Sequence, residues 1–259
     1  FFYLSIISLK SFATDQDVQR FALVIGNKNY ANAPLKNALN DANSIADSLT
    51  ELGFSVSLIT DSSLPELKQA VTEFYSVVKA DTKAKKLALI YYAGHAIQVD
   101  QHNYIVPLGH NFDNYNEFIS GLYQINNLFA QINQTKGLQS IIILDACRNN
   151  PFENLPVLET AKLSKGLAPV KAPFNTMIAF ATEPGGVAAD GRRKNGIYTK
   201  HLLRHIAQPI NVEEVFKKVR SGVTKETRNK QIPWEHSSLL GEVFFNPPKN
   251  RDIPDLMVF

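Results

Sequence analysis

The stretch Leu87-Ala-Leu-Ile-Tyr-Tyr-Ala-Gly-His95 is an apolar, strand-like run that ends in a histidine, and Ile141-Ile-Ile-Leu-Asp-Ala-Cys147 is a second such run that ends in a cysteine. The carboxyl ends of strands are where an open α/β sheet presents its chemistry, so a thiol and an imidazole can meet there. Cys147 is also the only cysteine in 259 residues. A solitary cysteine forms no intrachain disulfide and no thiolate-rich zinc site, which leaves two main readings: a buried apolar filler or a nucleophile.

Outward from these two runs, short apolar segments alternate with stretches of helical periodicity, the signature of βαβ units and a parallel sheet. The expected strands are Phe21–Ile25, Phe54–Ile59, Leu87–Tyr92, Ser140–Leu144, Thr176–Ala181 and Leu239–Phe245. The expected helices lie near Lys36–Leu52, Leu64–Val78, Ile119–Ile132, Tyr198–Ile206 and Val212–Arg228. In the first helix Ala38, Ile45, Leu49 and Leu52 fall at near-helical spacing, and Gly53 supplies the stop. Ile97–Pro107 reads as a hairpin, and the proline-rich stretch Pro151–Pro173 reads as a long loop. Right-handed crossovers make the strands before His95 and Cys147 neighbours, with their carboxyl ends side by side.

The chain is long enough for one large globular domain. Its 27 basic and 24 acidic residues, net charge +3, are scattered without the basic stripe of a nucleic-acid binder. Neither nucleic acid nor acidic lipid is the expected main partner, and no stable membrane span is expected. The segment Phe1–Ala13 is short and apolar and ends in small residues, like the hydrophobic and cleavage regions of a secretory signal. Residues 1–19 are accordingly read as a truncated signal segment and linker, 20–248 as the globular domain and 249–259 as a tail. The localisation expected is periplasmic or secreted if that signal reading holds, and cytoplasmic otherwise.

Other signals are weaker. His201 and His205 stand four apart on a helix, as in zinc proteases, but Leu202 follows where a glutamate would act as base, so no metal site is expected. Gly26-Asn-Lys-Asn29 lacks the glycine pattern of a dinucleotide site. Trp234 either packs in the core, the default for a tryptophan, or lines a groove. Asp145 lies two residues before Cys147, so on an extended backbone both side chains point to the same side and a carboxylate stands beside the candidate nucleophile.

Several segments together resemble a bacterial caspase-like domain of the paracaspase and metacaspase type. They are Arg20-Phe-Ala-Leu-Val-Ile-Gly-Asn-Lys-Asn-Tyr30, Tyr91-Tyr-Ala-Gly-His95, Leu144-Asp-Ala-Cys-Arg148, Ala179-Phe-Ala-Thr182 and Lys230-Gln-Ile-Pro-Trp234. The resemblance covers residues 20 to 245 in the right order, and a histidine roughly fifty residues upstream of the cysteine is similar to the spacing in caspases. It implies an α/β fold of three layers, αβα, with a mostly parallel six-stranded sheet.

The same resemblance implies a cysteine endopeptidase. Cys147 would attack the scissile carbonyl, and His95 would protonate the leaving amine and then activate water. The backbone N–H groups of Cys147 and Ala96 would form the oxyanion hole, Ala96 standing where glycine is commoner in the family. Asp41, Asp145 and Asp190 match the family's acidic pocket for Arg or Lys before the scissile bond. Taken singly, Asp41 also reads as a solvated helix carboxylate and Asp190 as a turn residue. Lys162 and Lys165 are candidate self-cleavage points, or ordinary exposed loop lysines. The implied partners are protein or peptide substrates with basic residues at the cleavage site. No cofactor is implied, and a calcium requirement and the oligomeric state are not legible in the residues. The competing reading is a catalytically idle caspase-fold interaction module; the presence of both His95 and Cys147 argues against loss of the dyad.

Overall fold

Parallel strands cannot be joined by a tight turn, so each must be followed by a crossover, and the arrangement of those crossovers fixes this molecule. The computed structural model describes residues 18–31, 33–109, 112–146, 163–164, 166–186, 188 and 193–248. In chain order its elements are β1 (Val18–Gly26), α1 (Ala38–Glu51), β2 (Ser55–Thr60), α2 (Leu64–Ala80), β3 (Lys85–Ala93), β4 (Ala96–Val99) and β5 (His102–Ile105). There follow α3 (Tyr115–Ser120), β6 (Tyr123–Gln124), α4 (Asn126–Asn133), β7 (Leu138–Asp145), β8 (Leu163–Ser164), β9 (Thr176–Phe180), α5 (Ile197–His205), α6 (Val212–Glu226) and β10 (Trp234–Ser237). Six strands form one sheet in the order β10-β9-β7-β3-β1-β2, parallel except for β10.

The step from β1 to β2 goes one way along the sheet and the step from β2 to β3 goes the other. Right-handed crossovers therefore put α1 and α2 on opposite faces. α4 shares the α2 side, where Lys79 Nζ donates to Gln131 Oε1 at 3.0 Å. α1 packs on α5 and α5 on α6, which places those three in the other layer. The result is the three-layer α/β architecture expected from the sequence. With helices on both faces, β3 and β7 are buried almost end to end, which is why their sequences are apolar without alternation. β2, at one edge, is mostly half-buried or exposed and reads Ser-Val-Ser-Leu-Ile-Thr.

Three expectations need correction. The sixth strand is Trp234–Ser237, paired antiparallel with β9, and not Leu239–Phe245. Residues 239–245 make only an isolated bridge, Asn211 to Phe244; Val243 and Phe245 are apolar because they pack into the core as irregular chain. The single helix expected over Ile119–Ile132 is α3 and α4, with β6 between them, because Gly121 ends α3 and the following residues pair with β5. Trp234 sits on the edge strand and is 44% exposed, so it is not a core residue.

The hairpin expected over Ile97–Pro107 is β4–β5. Its connection is Asp100-Gln101, both left-handed at φ 46° and 64°, which matches the twist of a two-residue turn. It belongs to a second, antiparallel sheet of order β6-β5-β4-β8 that begins directly after His95. Because β1 is followed by β2 on one side and has β3 on the other, the strand order reverses between β1 and β3. The crevice at such a reversal is where open α/β sheets hold ligands.

Candidate active site

His95 leaves β3 through Gly94. A Cβ on Gly94 would lie 2.3 Å from the Tyr92 hydroxyl and 2.9 Å from that of Tyr30, so only glycine lets both hydroxyls close on this turn. Those hydroxyls hold the histidine's backbone. Tyr30 Oη accepts the His95 N–H at 3.0 Å and donates to the Val106 carbonyl at 3.0 Å, while Tyr92 Oη donates to the His95 carbonyl at 2.7 Å. The Val106 N–H reaches the same carbonyl at 3.0 Å. Tyr30 is delivered by the loop after β1, which is tied to the loop after β2: Asp61 accepts from the N–H groups of Lys28 and Asn29 at 2.7 and 3.0 Å.

The imidazole is 4% exposed, and the Tyr30 ring stands edge-on to it at 4.5 Å. Its Nε2 lies 2.8 Å from the Ala33 carbonyl. A carbonyl oxygen only accepts, so Nε2 carries the hydrogen and in the neutral ring Nδ1 is the nitrogen that takes up a proton. Ala96 opens β4 opposite Ile105 and has no left-handed backbone, so the position makes no demand for glycine.

The β3–β7 register pairs Ala93 with Asp145. His95 and Cys147 each follow two residues beyond that pair in sequence. Cys147, the backbone donor assigned to it, Asp190, Lys162 and Lys165 lie outside the described residues.

The two described carboxylates are brought together by α5. Asp41, in the first turn of α1, is fully buried; its Oδ1 accepts the Gly196 N–H at 2.9 Å and the Asn195 side-chain amide at 3.0 Å. Gly196 precedes α5 and has no side chain to cap it, so Asp41 supplies the cap from another helix. Asp145, 2% exposed, accepts the Thr199 hydroxyl on Oδ2 at 2.7 Å. Tyr91, between them, has its hydroxyl pKa driven well above the ordinary tyrosine value by burial and then by the charges of Asp145 and Asp41. Two buried carboxylates that act on one hydroxyl form a locus suited to a cation.

Comparison with known proteins bears on this arrangement. A model of the caspase domain, a peptidase family, matches residues 19–245. The chain belongs to that family. Human mucosa-associated lymphoid tissue lymphoma translocation protein 1 (Homo sapiens) is 27% identical over 238 residues, which are 89% of this chain and 27% of that protein. The chain thus spans about a quarter of that relative's length.

Within this caspase domain the structure adds groups that the sequence did not single out. Tyr30 and the Ala33 carbonyl fix His95; Thr199, Asn195, Gly196 and Tyr91 fix the two carboxylates. Only the tyrosines carried a legible signal, since they stand inside the segments that resemble the family. His201 and His205 hold no metal arrangement: His201 Nε2 meets Glu226 at 2.7 Å, and His205 Nδ1 meets Gln208 at 3.1 Å.

Proposed function

We propose that this caspase domain is a cysteine endopeptidase that cuts after Arg or Lys. The observation that carries this reading is the β3–β7 register, which sets the ends of the two strands that lead to His95 and Cys147 side by side, with the buried Asp145 at the tip of one of them and the buried Asp41 on α1. The Cys147 thiolate attacks the scissile carbonyl carbon, and backbone N–H groups, those of Ala96 and Cys147, stabilise the oxyanion. As the tetrahedral adduct collapses, the C–N bond breaks and protonated His95 gives its Nδ1 proton to the leaving amine. Water then attacks the thioester with Nδ1 as base, releasing the acid and regenerating the thiol. Asp41 and Asp145, together with Asp190, accept the cationic side chain before the scissile bond; guanidinium matches carboxylates best because it donates in a planar fork.

No step in this chemistry passes through a metal ion, and whether calcium is needed to bring the enzyme to its active state is read by assaying with calcium and with EDTA. Fluorogenic peptides ending in Arg, Lys or Asp, offered under reducing conditions to wild type and Cys147→Ala, test the reading. Cleavage after Arg or Lys by wild type alone supports it. Absence of turnover in every condition, calcium included, overturns the peptidase, and a preference for Asp overturns the acidic pocket alone. Self-cleavage at Lys162 or Lys165 is read in the same samples, as a mass loss in wild type that Cys147→Ala does not show.

A further inference from the structure

We propose that Thr199 is a positioning residue that sets the preference for arginine over lysine, by fixing the carboxylate plane of Asp145. The proposal rests on the reading of Asp145 as a carboxylate that receives the substrate's cation.

Proton accounting decides the direction of the contacts. Thr199 Oγ1 lies 2.7 Å from Asp145 Oδ2 and 2.6 Å from Tyr91 Oη. A threonine hydroxyl has one proton and an ionised carboxylate only accepts, so that proton goes to Asp145. The Thr199 oxygen then accepts from Tyr91. Tyr91 remains a donor, because burial and the neighbouring carboxylates hold it protonated far above neutral pH. Its own distance to Asp145 Oδ2 is 3.5 Å, at the limit of a hydrogen bond. Of these two donors Thr199 is therefore the closer, in a relay that runs from β3 through α5 to β7.

The helix that carries Thr199 is held at its N-terminus and on its opposite face. Gly196 and Thr199 are three apart, so they share one face of α5, and that face holds Asp41 and Asp145 at once. At the far side, His201 and Lys200 both reach Glu226 on α6. Gly222 allows this approach: a Cβ there would stand 2.3 Å from His201 Nδ1. A hydroxyl on so constrained a helix fixes where Asp145 Oδ2 sits and hence the plane of the carboxylate. Guanidinium pairing requires that plane to match the donor fork, whereas an ammonium is a point charge that tolerates a rotated carboxylate.

Thr199→Val keeps the shape and removes the hydroxyl; Thr199→Ser keeps the hydroxyl; Tyr91→Phe removes the first step of the relay. All are made in the full chain and assayed with matched peptides ending in Arg or Lys. Thr199→Val is expected to lower kcat/KM for Arg about 10-fold, mainly through KM, and for Lys by about 3-fold or less, as losing a hydrogen bond to a charged group would. Its acid limb for Arg cleavage moves to higher pH, because the charged carboxylate has lost a donor. Thr199→Ser restores both, and Tyr91→Phe moves both in the same direction by less. An unchanged Arg-to-Lys ratio in Thr199→Val, or an equal fall for both substrates with the acid limb unmoved, overturns the proposal. Should Thr199→Val not fold, Tyr91→Phe decides it by the same two readouts. If wild type cuts after neither Arg nor Lys, the underlying specificity reading fails first, and that failure shows in the wild-type arm.

Discussion

The Tyr30 hydroxyl accepts the backbone N–H of His95 at 3.0 Å while the Tyr30 ring stands edge-on to the imidazole at 4.5 Å. One side chain thus restrains both the backbone and the ring of the candidate acid/base. Tyr30→Phe keeps the ring contact and leaves the buried N–H of His95 without that acceptor. The expected result is a fall in kcat of about 10-fold with KM nearly unchanged, the effect of a misplaced proton-transfer group. Steady-state kinetics on an Arg peptide check it; a change confined to KM places Tyr30 with the substrate instead.

His95→Ala removes the group assigned to protonate the amine and activate water. A loss of roughly 10²–10⁴-fold in kcat is expected. Circular dichroism should show the fold intact, since the Tyr30, Tyr92 and Val106 contacts are made to the backbone of residue 95. Activity within a few-fold of wild type would remove His95 from the mechanism.

Asp41 has two duties that mutation separates: it caps α5 through the Gly196 N–H, and it contributes charge beside Asp145. Asp41→Asn keeps an acceptor oxygen for the cap and removes the charge. Asp41→Ala removes both. Cleavage after Arg is expected to fall about 10-fold or more in each, whereas only Asp41→Ala loses the cap, worth about 0.5–2 kcal/mol. Thermal denaturation beside kinetics reads the two effects. Destabilisation by Asp41→Ala alone, with Arg cleavage unchanged in both variants, would make Asp41 a structural cap alone.

How much of this was legible in the sequence depends on whether a feature is local. The strands before His95 and Cys147 are marked by their own apolar runs, and the neighbour relation follows from the handedness of crossovers; the β3–β7 register agrees with both. Leu239–Phe245 misled because core burial of irregular chain selects the same residues as a strand does. Trp234–Ser237 was hidden because an exposed edge strand carries polar residues. Thr199 and Asn195 have no sequence signature, since their partners are 54 and 154 residues away. The Ala33 carbonyl is a backbone atom, and any residue would supply it.

The α5–α6 contact beneath the carboxylates predicts a pH dependence of stability. His201 is 4% exposed, and burial pulls its pKa below the ordinary 6.5. The Glu226 carboxylate at 2.7 Å pulls the other way, while Lys200 and Arg204 add to the lowering, so the folded protein favours the neutral ring. In the unfolded chain His201 binds its proton near pH 6.5, and in the folded chain only at lower pH. Between those two values the unfolded state binds more protons, so this contribution is complete above about pH 6.5 and is lost as pH falls towards the folded value. Glu226 acts in the same direction at lower pH: its carboxylate is held below its ordinary range first by Lys200, with burial opposing and His201 adding to the lowering. The melting temperature is therefore expected to decline from about pH 7 to about pH 5, and His201→Gln should flatten that decline. Gly222→Ala drives a methyl into the same ring and is expected to cost about 1–3 kcal/mol at neutral pH. If His201→Gln keeps the wild-type slope across that range, the imidazole is not the group whose protonation loosens α5 from α6.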